Sequence, residues 1–214
     1  MIYLISDIHA DKNFLGLNEY LQKATDEDWL IILGDIGFGF EKTEQNKAFD
    51  EFFLSIKKNV AFIDGNHENY DLLYSYPVVD FFGGKAHKLT DKIFMLERGG
   101  IYEMEGKKLF VMGGCKSSAS WKDRGLWSAK EEPSEIEVNY AKENLKRHNN
   151  KVDFVLTHKY EYDETYPVIS QNLLELCRYI DESVEYKLWY SGHEHVIEKI
   201  DGKHFRIYNE IVEL

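Results

Sequence analysis

The sequence predicts an α/β fold whose first part is built on a parallel sheet. Three apolar runs, residues 2–5, 29–33 and 60–63, have the composition of buried strands. Two segments in which apolar residues recur at helical spacing, 14–24 and 44–57, lie between these runs. Because strands that alternate with helices along a chain usually pair in parallel, this order favours a parallel sheet.

The next part of the chain predicts a change to short strands joined by turns. We expect four of them near 86–89, 93–96, 101–104 and 108–112. The segment 113–134, rich in Gly, Ser, Lys and Trp, is expected to be irregular.

The last part predicts two more helices and two more buried strands. Ser134-Glu135-Ile136-Glu137 matches a capping box at the start of a helix. The remaining expected elements are a strand at 152–156, a helix at 171–181, a strand at 187–191 and a hairpin around Asp201-Gly202. Since no linker or repeat interrupts this order, we expect a single domain over residues 1–214.

Composition and cysteine content indicate an ordinary soluble protein. The chain has 214 residues, of which 43% are hydrophobic and 30% charged, enough to bury a core. Cys115 and Cys177 have no CxxC spacing, so we expect both to be small buried residues in a reducing cytosol. Asp7 interrupts the first apolar run too early for a signal peptide, and no apolar stretch approaches the ~20 residues that span a bilayer. We therefore expect a cytoplasmic protein with no membrane partner.

The net charge limits the partners further. A formal charge of −12 repels nucleic acid and anionic membranes at long range. A small anionic substrate can still bind if the site has its own cations, which points towards metal ions.

The strongest functional signal is a polar motif that follows each of five apolar strands. The motifs are Asp7-x-His9, Gly34-Asp35, Gly65-Asn66-His67-Glu68, Thr157-His158 and Gly192-His193-x-His195. Such positions lie at the carboxyl edge of a sheet, where α/β proteins usually keep their active sites. Together the motifs predict one site.

The residue types in these motifs suit a metal centre. Carboxylate, imidazole and amide groups fit Mn²⁺, Zn²⁺ or Fe, in contrast to the thiolate ligands of structural zinc. Asp7 and His9 are two residues apart, so we expect them on one face of a strand, sharing one ion. Taken singly, Asp35 is more often a turn residue and His158 more often a hydrogen-bonded boundary residue. Five such motifs in order favour metal binding.

This ordered motif set resembles that of the calcineurin-like metallophosphoesterases, and the resemblance runs from residue 5 to residue 195. It implies a four-layer α/β/β/α sandwich with a dinuclear metal site at the strand ends. It also implies which residues hold the metals: Asp7, His9 and His195 the first ion, Asn66, His158 and His193 the second, with Asp35 bridging. The implied cofactors are two divalent ions, Mn²⁺ first, with Fe, Zn or Ni as alternatives.

The resemblance makes His67 the histidine that contacts phosphate or protonates the leaving group. Elementary chemistry agrees, because two cations about 3.5–4 Å apart can hold a bridging hydroxide and stabilise an in-line displacement at phosphorus. An imidazole titrates near neutral pH and suits a general acid. Asp64 and Glu68 are candidates for orienting ligand histidines, although Glu68 equally suits the first turn of a helix.

One departure from the family pattern concerns phosphate binding. Many members continue the second motif as Gly-Asp-x-x-Asp-Arg-Gly, whereas this chain has the residues 34–39, Gly-Asp-Ile-Gly-Phe-Gly. Lys116, Lys122 or Arg124 could replace that arginine, and we favour Arg124, which joins Asn66 and His67 as an expected substrate contact. The Gly-Phe-Gly-Phe loop and Gly113-Gly114 are similar to small bacterial and phage-encoded metallophosphoesterases.

The sequence is compatible with three functions. The leading one is a metal-dependent phosphatase or phosphodiesterase acting on a small phosphorylated substrate, with a nucleotide as one option. A nuclease on DNA or RNA strands shares the metal core, but the charge of −12 argues against a long nucleic acid. The third is a metal-binding, non-catalytic scaffold, which the presence of His67 disfavours. Aromatic residues beside the motifs could stack on a nucleobase or simply pack: Trp121, Trp127, Tyr160, Tyr162 and Tyr166.

Overall fold

The computed structural model describes residues 1–162, 168 and 170–214. The helices are α1 (Leu15–Lys23), α2 (Glu44–Ser55), α3 (Tyr70–Leu73), α4 (Ala119–Asp123), α5 (Glu135–Arg147) and α6 (Gln171–Ser183). The strands of the first half are β1 (Ile2–Ile5), β2 (Trp29–Leu33), β3 (Asn59–Ile63), β4 (Val78–Phe81), β5 (Gly84–Lys88), β6 (Ile93–Leu96) and β7 (Ile101–Met104). Those of the second half are β8 (Lys107–Met112), β9 (Phe154–Thr157), β10 (Leu188–Ser191), β11 (Glu198–Lys199), β12 (His204–Arg206) and β13 (Val212–Glu213).

Within the described residues these strands form two mixed sheets. The first has seven strands in the order β13-β1-β2-β3-β6-β5-β4, and the second has six in the order β11-β12-β10-β9-β8-β7. The centre of each sheet is parallel: β1, β2, β3 and β6 in one, and β8, β9, β10 and β12 in the other. Antiparallel strands close the edges.

The two sheets pack face to face, with helices on their outer faces. Ile31 and Ile63 of the first sheet share a buried cluster with Leu109 and Leu156 of the second. The alternate residues of the first sheet pack against α1 and α2, and those of the second against α5 and α6. This alternation follows because successive side chains of a strand point to opposite faces. The predicted four-layer α/β/β/α sandwich is confirmed.

Most predicted elements are present, and those that were missed have weak sequence signals. Strand β4 has mostly exposed residues, so it lacks an apolar run. Helix α3 has one turn, too short for a periodic pattern. The segment 113–134, expected to be irregular, contains the short helix α4 and a 3-10 turn at Ala129–Glu131. The chain's last strand, β13, pairs with β1.

Both sheets direct the carboxyl ends of their parallel strands to the same edge of the sandwich. His158, which follows β9, contacts Leu33 of β2 through Nδ1 and the backbone oxygen at 2.8 Å. Ser6, which follows β1, donates to the same oxygen at 2.9 Å. The loops after these strands therefore meet where the sheets come together. No helix among the described residues has the length and apolar character needed to cross a membrane.

Candidate metal centre

The predicted metal ligands lie in the loops beyond the strands, in an unusual backbone conformation. The φ angles of five of them fall in the left-handed region, between 49° and 71°: Asp7, His9, Asp35, His193 and His195. Residues other than glycine rarely adopt this region, at a cost of about 1–3 kcal/mol each, and such strain concentrates at functional sites. The expectation that Asp7 and His9 lie on a strand was wrong, because β1 ends at Ile5. The turn after the strand brings them together instead.

The first cluster contains Asp7, His9 and His195. The Nε2 atoms of the two histidines are 2.9 Å apart. Asp7 Oδ1 lies 4.0 Å from Nε2 of His9 and 3.5 Å from Nε2 of His195. The ring of His195 stacks on Tyr208, with centroids 5.0 Å apart and an interplanar angle of 2°. These contacts direct three potential ligand atoms to one point.

The second cluster contains Asn66, His158 and His193. His158 Nε2 is 3.2 Å from Asn66 Oδ1 and 3.3 Å from His193 Nδ1. Because Nδ1 of His158 faces the backbone oxygen of Leu33 at 2.8 Å, that nitrogen donates to the oxygen, and Nε2 points towards the cluster. A hydrogen bond of this kind fixes the orientation of metal-binding histidines.

Asp35 lies between the two clusters. Its carboxylate is 3.6 Å from Nε2 of His9 and 3.5 Å from Nε2 of His158. Gly65 makes this position possible, since a Cβ on Gly65 would collide with the Asp35 carboxylate. Burial opposes ionisation of Asp35, but the surrounding histidines, His158 foremost, hold its pKa below the ordinary value. An ionised carboxylate is thus available to both clusters.

The donor set fits a pair of divalent ions. Oδ1 of Asp7 is buried and has no hydrogen-bond partner among the described residues. A buried, unpaired carboxylate oxygen is costly unless a further group satisfies it. The Asp7 carboxylate lies with Asp35 and His158 in one group of potential ligand atoms that are all within 4.8 Å of one another. Imidazole and carboxylate donors at this spacing suit Mn, Fe or Zn.

His67 lies beside both clusters and under two aromatic rings. Its backbone nitrogen donates to Asp35 Oδ1 at 2.8 Å. Its ring meets His9 at 5.0 Å and 86°, and Trp121 at 4.2 Å and 84°, edge to face. Phe40 lies 4.9 Å away on another side. Burial lowers the pKa of His67, with Asp35 opposing the shift.

A cavity of about 520 Å³ opens over His67 and the first cluster. Its walls include Phe40, Glu41 and Trp121, together with His193 of the second cluster. Among the described lining residues there is no lysine or arginine. Its size suits a small organic substrate.

The cation favoured for phosphate binding, Arg124, lies at the rim of this cavity. It is half exposed, with a guanidinium nitrogen 3.6 Å from Glu41 Oε1. The guanidinium also stacks over the Trp121 ring at 4.3 Å. Lys122 stacks over Trp127 instead, at 4.2 Å. A phosphate contact from Arg124 stays a prediction.

Asp64 and Glu68 do not act on the ligand histidines in the way we considered. The Asp64 carboxylate pairs with the buried guanidinium of Arg98. Glu68 Oε1 accepts from the backbone nitrogen of Ile36 at 2.8 Å. Glu68 therefore fixes the loop that follows Asp35, and it precedes the N-cap of α3, Asn69.

The second cluster is also contacted by two residues that were not expected from the sequence, Cys115 and Ser117. Cys115 Sγ is 2.9 Å from Asn66 Oδ1. Ser117 Oγ accepts from Asn66 Nδ2 at 3.0 Å and donates to Glu131. The available signal was that Cys115 follows β8 and a Gly-Gly pair, the same strand-end pattern as the other motifs.

The remaining aromatic residues divide between the cavity and packing. Trp121 lines the cavity. Tyr160 packs on His204 and Tyr162, away from the candidate ligands, with centroids 4.3 and 5.3 Å apart. Tyr166 lies outside the described residues.

The chain matches a known protein family over most of its length. Residues 1–197 match the family described as calcineurin-like phosphoesterase. A curated relative, uncharacterized protein L509 of Acanthamoeba polyphaga mimivirus, is 28% identical over 111 residues, which cover 47% of this chain and 39% of that protein. The match thus spans well under two thirds of that relative. The crystal structure of TT1561 of Thermus thermophilus is similar with a TM-score of 0.49 and 13% identity, covering 98% of this chain and 88% of that one.

Proposed function

The chain belongs to the calcineurin-like phosphoesterase family. We propose that it uses two divalent ions, held around Asp35, to hydrolyse a small phosphate ester. Family membership supports a metal-dependent phosphoesterase in general. The observation that carries the proposal is the convergence of two donor clusters on Asp35, with His67 beside them. The similarity to small bacterial and phage-encoded members stays a prediction.

Each candidate ligand has a stated role in this proposal. Asp7, His9 and His195 would hold one ion, Asn66, His158 and His193 would hold the other, and the Asp35 carboxylate lies between the two clusters. Bound there, the two ions would supply Lewis-acid stabilisation for an in-line displacement at phosphorus. Mn²⁺ as the metal, expected from the resemblance, stays a prediction.

His67 acts as the proton donor and phosphate contact. The hydrogen bond from its backbone nitrogen to Asp35 Oδ1 holds the backbone of His67 beside the clusters. The side chain therefore begins next to the candidate ligands. Trp121 and Phe40 pack against the ring and restrict its orientation. The imidazole gives its proton to the leaving oxygen, so the departing group leaves as an alcohol.

The lining of the cavity favours a diester over a monoester. A phosphate monoester carries nearly two negative charges at neutral pH, because its second pKa is about 6. A diester carries one. The described wall includes Glu41 and no lysine or arginine, and Arg124 at the rim is paired with Glu41. A second negative charge on the substrate therefore finds no lysine or arginine partner among the described residues that line the cavity.

The aromatic wall sets the kind of ester group that fits. Phe40 and Trp121 give the cavity an apolar side next to His67. Planar groups such as nucleobases or phenyl rings stack on such surfaces. We therefore expect small aryl or nucleoside phosphodiesters to be better substrates than nucleic acid strands, which the charge of −12 repels.

The test compares two chromogenic esters. The protein is assayed with p-nitrophenyl phosphate and with bis-p-nitrophenyl phosphate, after loading with Mn²⁺ and again after EDTA. We expect metal-dependent turnover, with the diester preferred. A clear preference for the monoester would refute the diester assignment, and no turnover of either ester or of a nucleotide panel would favour the scaffold function.

A further inference from the structure

The thiol of Cys115 lies among the ligand atoms of the second cluster. Sγ is 2.9 Å from Asn66 Oδ1 and 3.4 Å from His193 Nδ1. Cys115, His158 and His193 form one group of potential ligand atoms within 4.8 Å of one another. The side chain is fully buried, so it faces the cluster rather than solvent.

The spacing of the four atoms is that of neighbours around one ion. Going round the group, the separations from Sγ to Asn66 Oδ1, His158 Nε2, His193 Nδ1 and back are 2.9, 3.2, 3.3 and 3.4 Å. Metal bonds of about 2.0–2.3 Å put adjacent ligand atoms roughly 2.9–3.6 Å apart. A thiol that only donated a hydrogen bond to Asn66 would need only the first of these distances.

A second observation also points to a missing partner in this centre. Asp7 Oδ1 is buried without a hydrogen-bond partner among the described residues, and the Asp7 carboxylate lies in one group of potential ligand atoms with Asp35 and His158. Because His158 belongs both to this group and to the ring of four donor atoms, the Asp7 carboxylate lies next to the second cluster. The unpaired oxygen and the ring of donor atoms are both satisfied by cations.

We propose that Cys115 is a thiolate ligand of the second metal position. This rests on the proposed function, because it uses the same dinuclear centre. On binding, the metal–sulfur bond replaces the S–H bond, and the proton is released to solvent. The first cluster offers only nitrogen and oxygen donors, whereas the second adds sulfur. Because thiolate selects softer ions, the second position prefers Zn²⁺ or Co²⁺ over Mn²⁺.

The direct test is the absorption spectrum of the cobalt-loaded protein. A thiolate bound to Co²⁺ gives charge-transfer absorption in the near ultraviolet, which nitrogen and oxygen ligands do not. We expect this band at two equivalents of bound Co²⁺ and its loss in Cys115→Ala. Cys177→Ala is the matched control, since Cys177 is buried in the core between the second sheet and its helices.

The Cys177→Ala variant also tests the proposal if Cys115→Ala fails to fold. The chain has 2 cysteines, so a band that persists in Cys177→Ala can come only from Cys115. Bound cobalt without the band in the wild type would overturn the ligand assignment while leaving the phosphoesterase proposal intact. Failure to bind Co²⁺ or any other divalent ion would overturn both.

Competition between metals gives an independent readout. Loss of a group that merely orients a ligand costs about 10–100-fold in metal affinity, and loss of a ligand should cost at least as much. We expect the preference of the protein for Zn²⁺ over Mn²⁺ to fall by about tenfold or more in Cys115→Ala and to be unchanged in Cys177→Ala. Equal preference in both variants would contradict the proposal.

Discussion

The Asp35 carboxylate lies 3.6 Å from Nε2 of His9 in the first cluster and 3.5 Å from Nε2 of His158 in the second, so its charge should matter to both metal positions. Asp35→Asn keeps the size of the side chain and removes the charge that the surrounding histidines favour. We expect bound metal to fall well below two ions per chain, together with turnover. Metal analysis after dialysis measures this. Asp80→Asn, an exposed carboxylate on the edge strand β4, is the control and should keep both ions.

Substitution of His67 should reduce catalysis without reducing metal binding. Its ring lies against Trp121 and His9 but is assigned no ion, so His67→Ala should retain about two ions per chain. Turnover should drop by ~10²–10⁴-fold, the usual contribution of a general acid. Parallel metal analysis and kinetics test the assignment. Loss of metal from this variant would mean that His67 is a ligand, which its proximity to His9 and Asp35 makes a concrete alternative.

At the level of residues, the sequence predicted which side chains meet, and it missed how they meet. Asp7 and His9 come together through left-handed turns after β1, which strand alternation does not describe. Cys115 carries the same strand-end signal as the other motifs, but two cysteines without CxxC spacing indicate only small buried residues from the sequence. A buried thiol becomes informative only when its neighbours are known.

Besides Cys115, the segment between β8 and α5 contacts the second cluster through a relay of side chains. Glu131 is buried and accepts from the backbone nitrogen and Oγ of Ser117, at 2.7 and 2.9 Å. The same hydroxyl accepts from Asn66 Nδ2. The relay orients the amide so that its oxygen faces the second cluster.

Glu131→Gln tests this relay. We expect metal affinity at the second cluster to fall about 10–100-fold, the usual cost of removing a group that orients a ligand. Isothermal titration of the metal-free protein with Mn²⁺ or Zn²⁺ measures it. The control is Glu132→Gln, which removes one negative charge from the neighbouring residue. It should leave metal affinity at both clusters unchanged. An equal effect of the two substitutions would point to net charge instead.

Helix α6 and strand β12 are joined by a histidine between two carboxylates. His204 contacts Asp181 at 3.1 Å and Asp201 at 2.8 Å, and Tyr186 also bonds Asp181. Tyr160 stacks on the ring. Burial alone would lower the pKa of His204, but the two carboxylates raise it above the ordinary value, while that of Asp181 is lowered.

The sign of the resulting pH dependence follows from these shifts. A raised histidine pKa adds stability that is complete below the ordinary value of about 6.5 and disappears as pH rises through the shifted value. We expect His204→Gln to lower the free energy of unfolding by about 1 kcal/mol more near pH 5.5 than near pH 9, since the ring is only partly shielded. Denaturant unfolding at both pH values measures it. An equal or larger loss of unfolding free energy near pH 9 would contradict a charged contact between His204 and the carboxylates of Asp181 and Asp201.

At the level of elements, buried strands and long helices were predictable because apolar runs and helical spacing specify them locally. Strand β2 begins and ends where the sequence indicated, at Trp29–Leu33, and the capping box at Ser134 forms as expected. Strand β4 was missed because its stability comes from pairing with β5, a tertiary contact. Helix α4, Ala119–Asp123, was missed because it has five residues and none of them is buried, so it has no apolar periodicity.

At the scale of the whole molecule, two sheets supply one site. Strand ends of the first sheet carry Asp7, Asp35 and Asn66, and those of the second carry His158 and His193. Because packing of the sheets brings these groups together, the site depends on the complete sandwich. The motif order along the chain allowed this to be predicted, whereas the walls of the cavity come from loops without a recognisable pattern.

The central claim is that turnover depends on two ions bound at this shared edge. The most direct measurement is a titration of the metal-free protein with Mn²⁺, in which bound metal and hydrolysis of bis-p-nitrophenyl phosphate are followed together. We expect no turnover without metal and full turnover only as the second ion per chain is bound. Full turnover of the metal-free protein, or none with two ions bound, would contradict it.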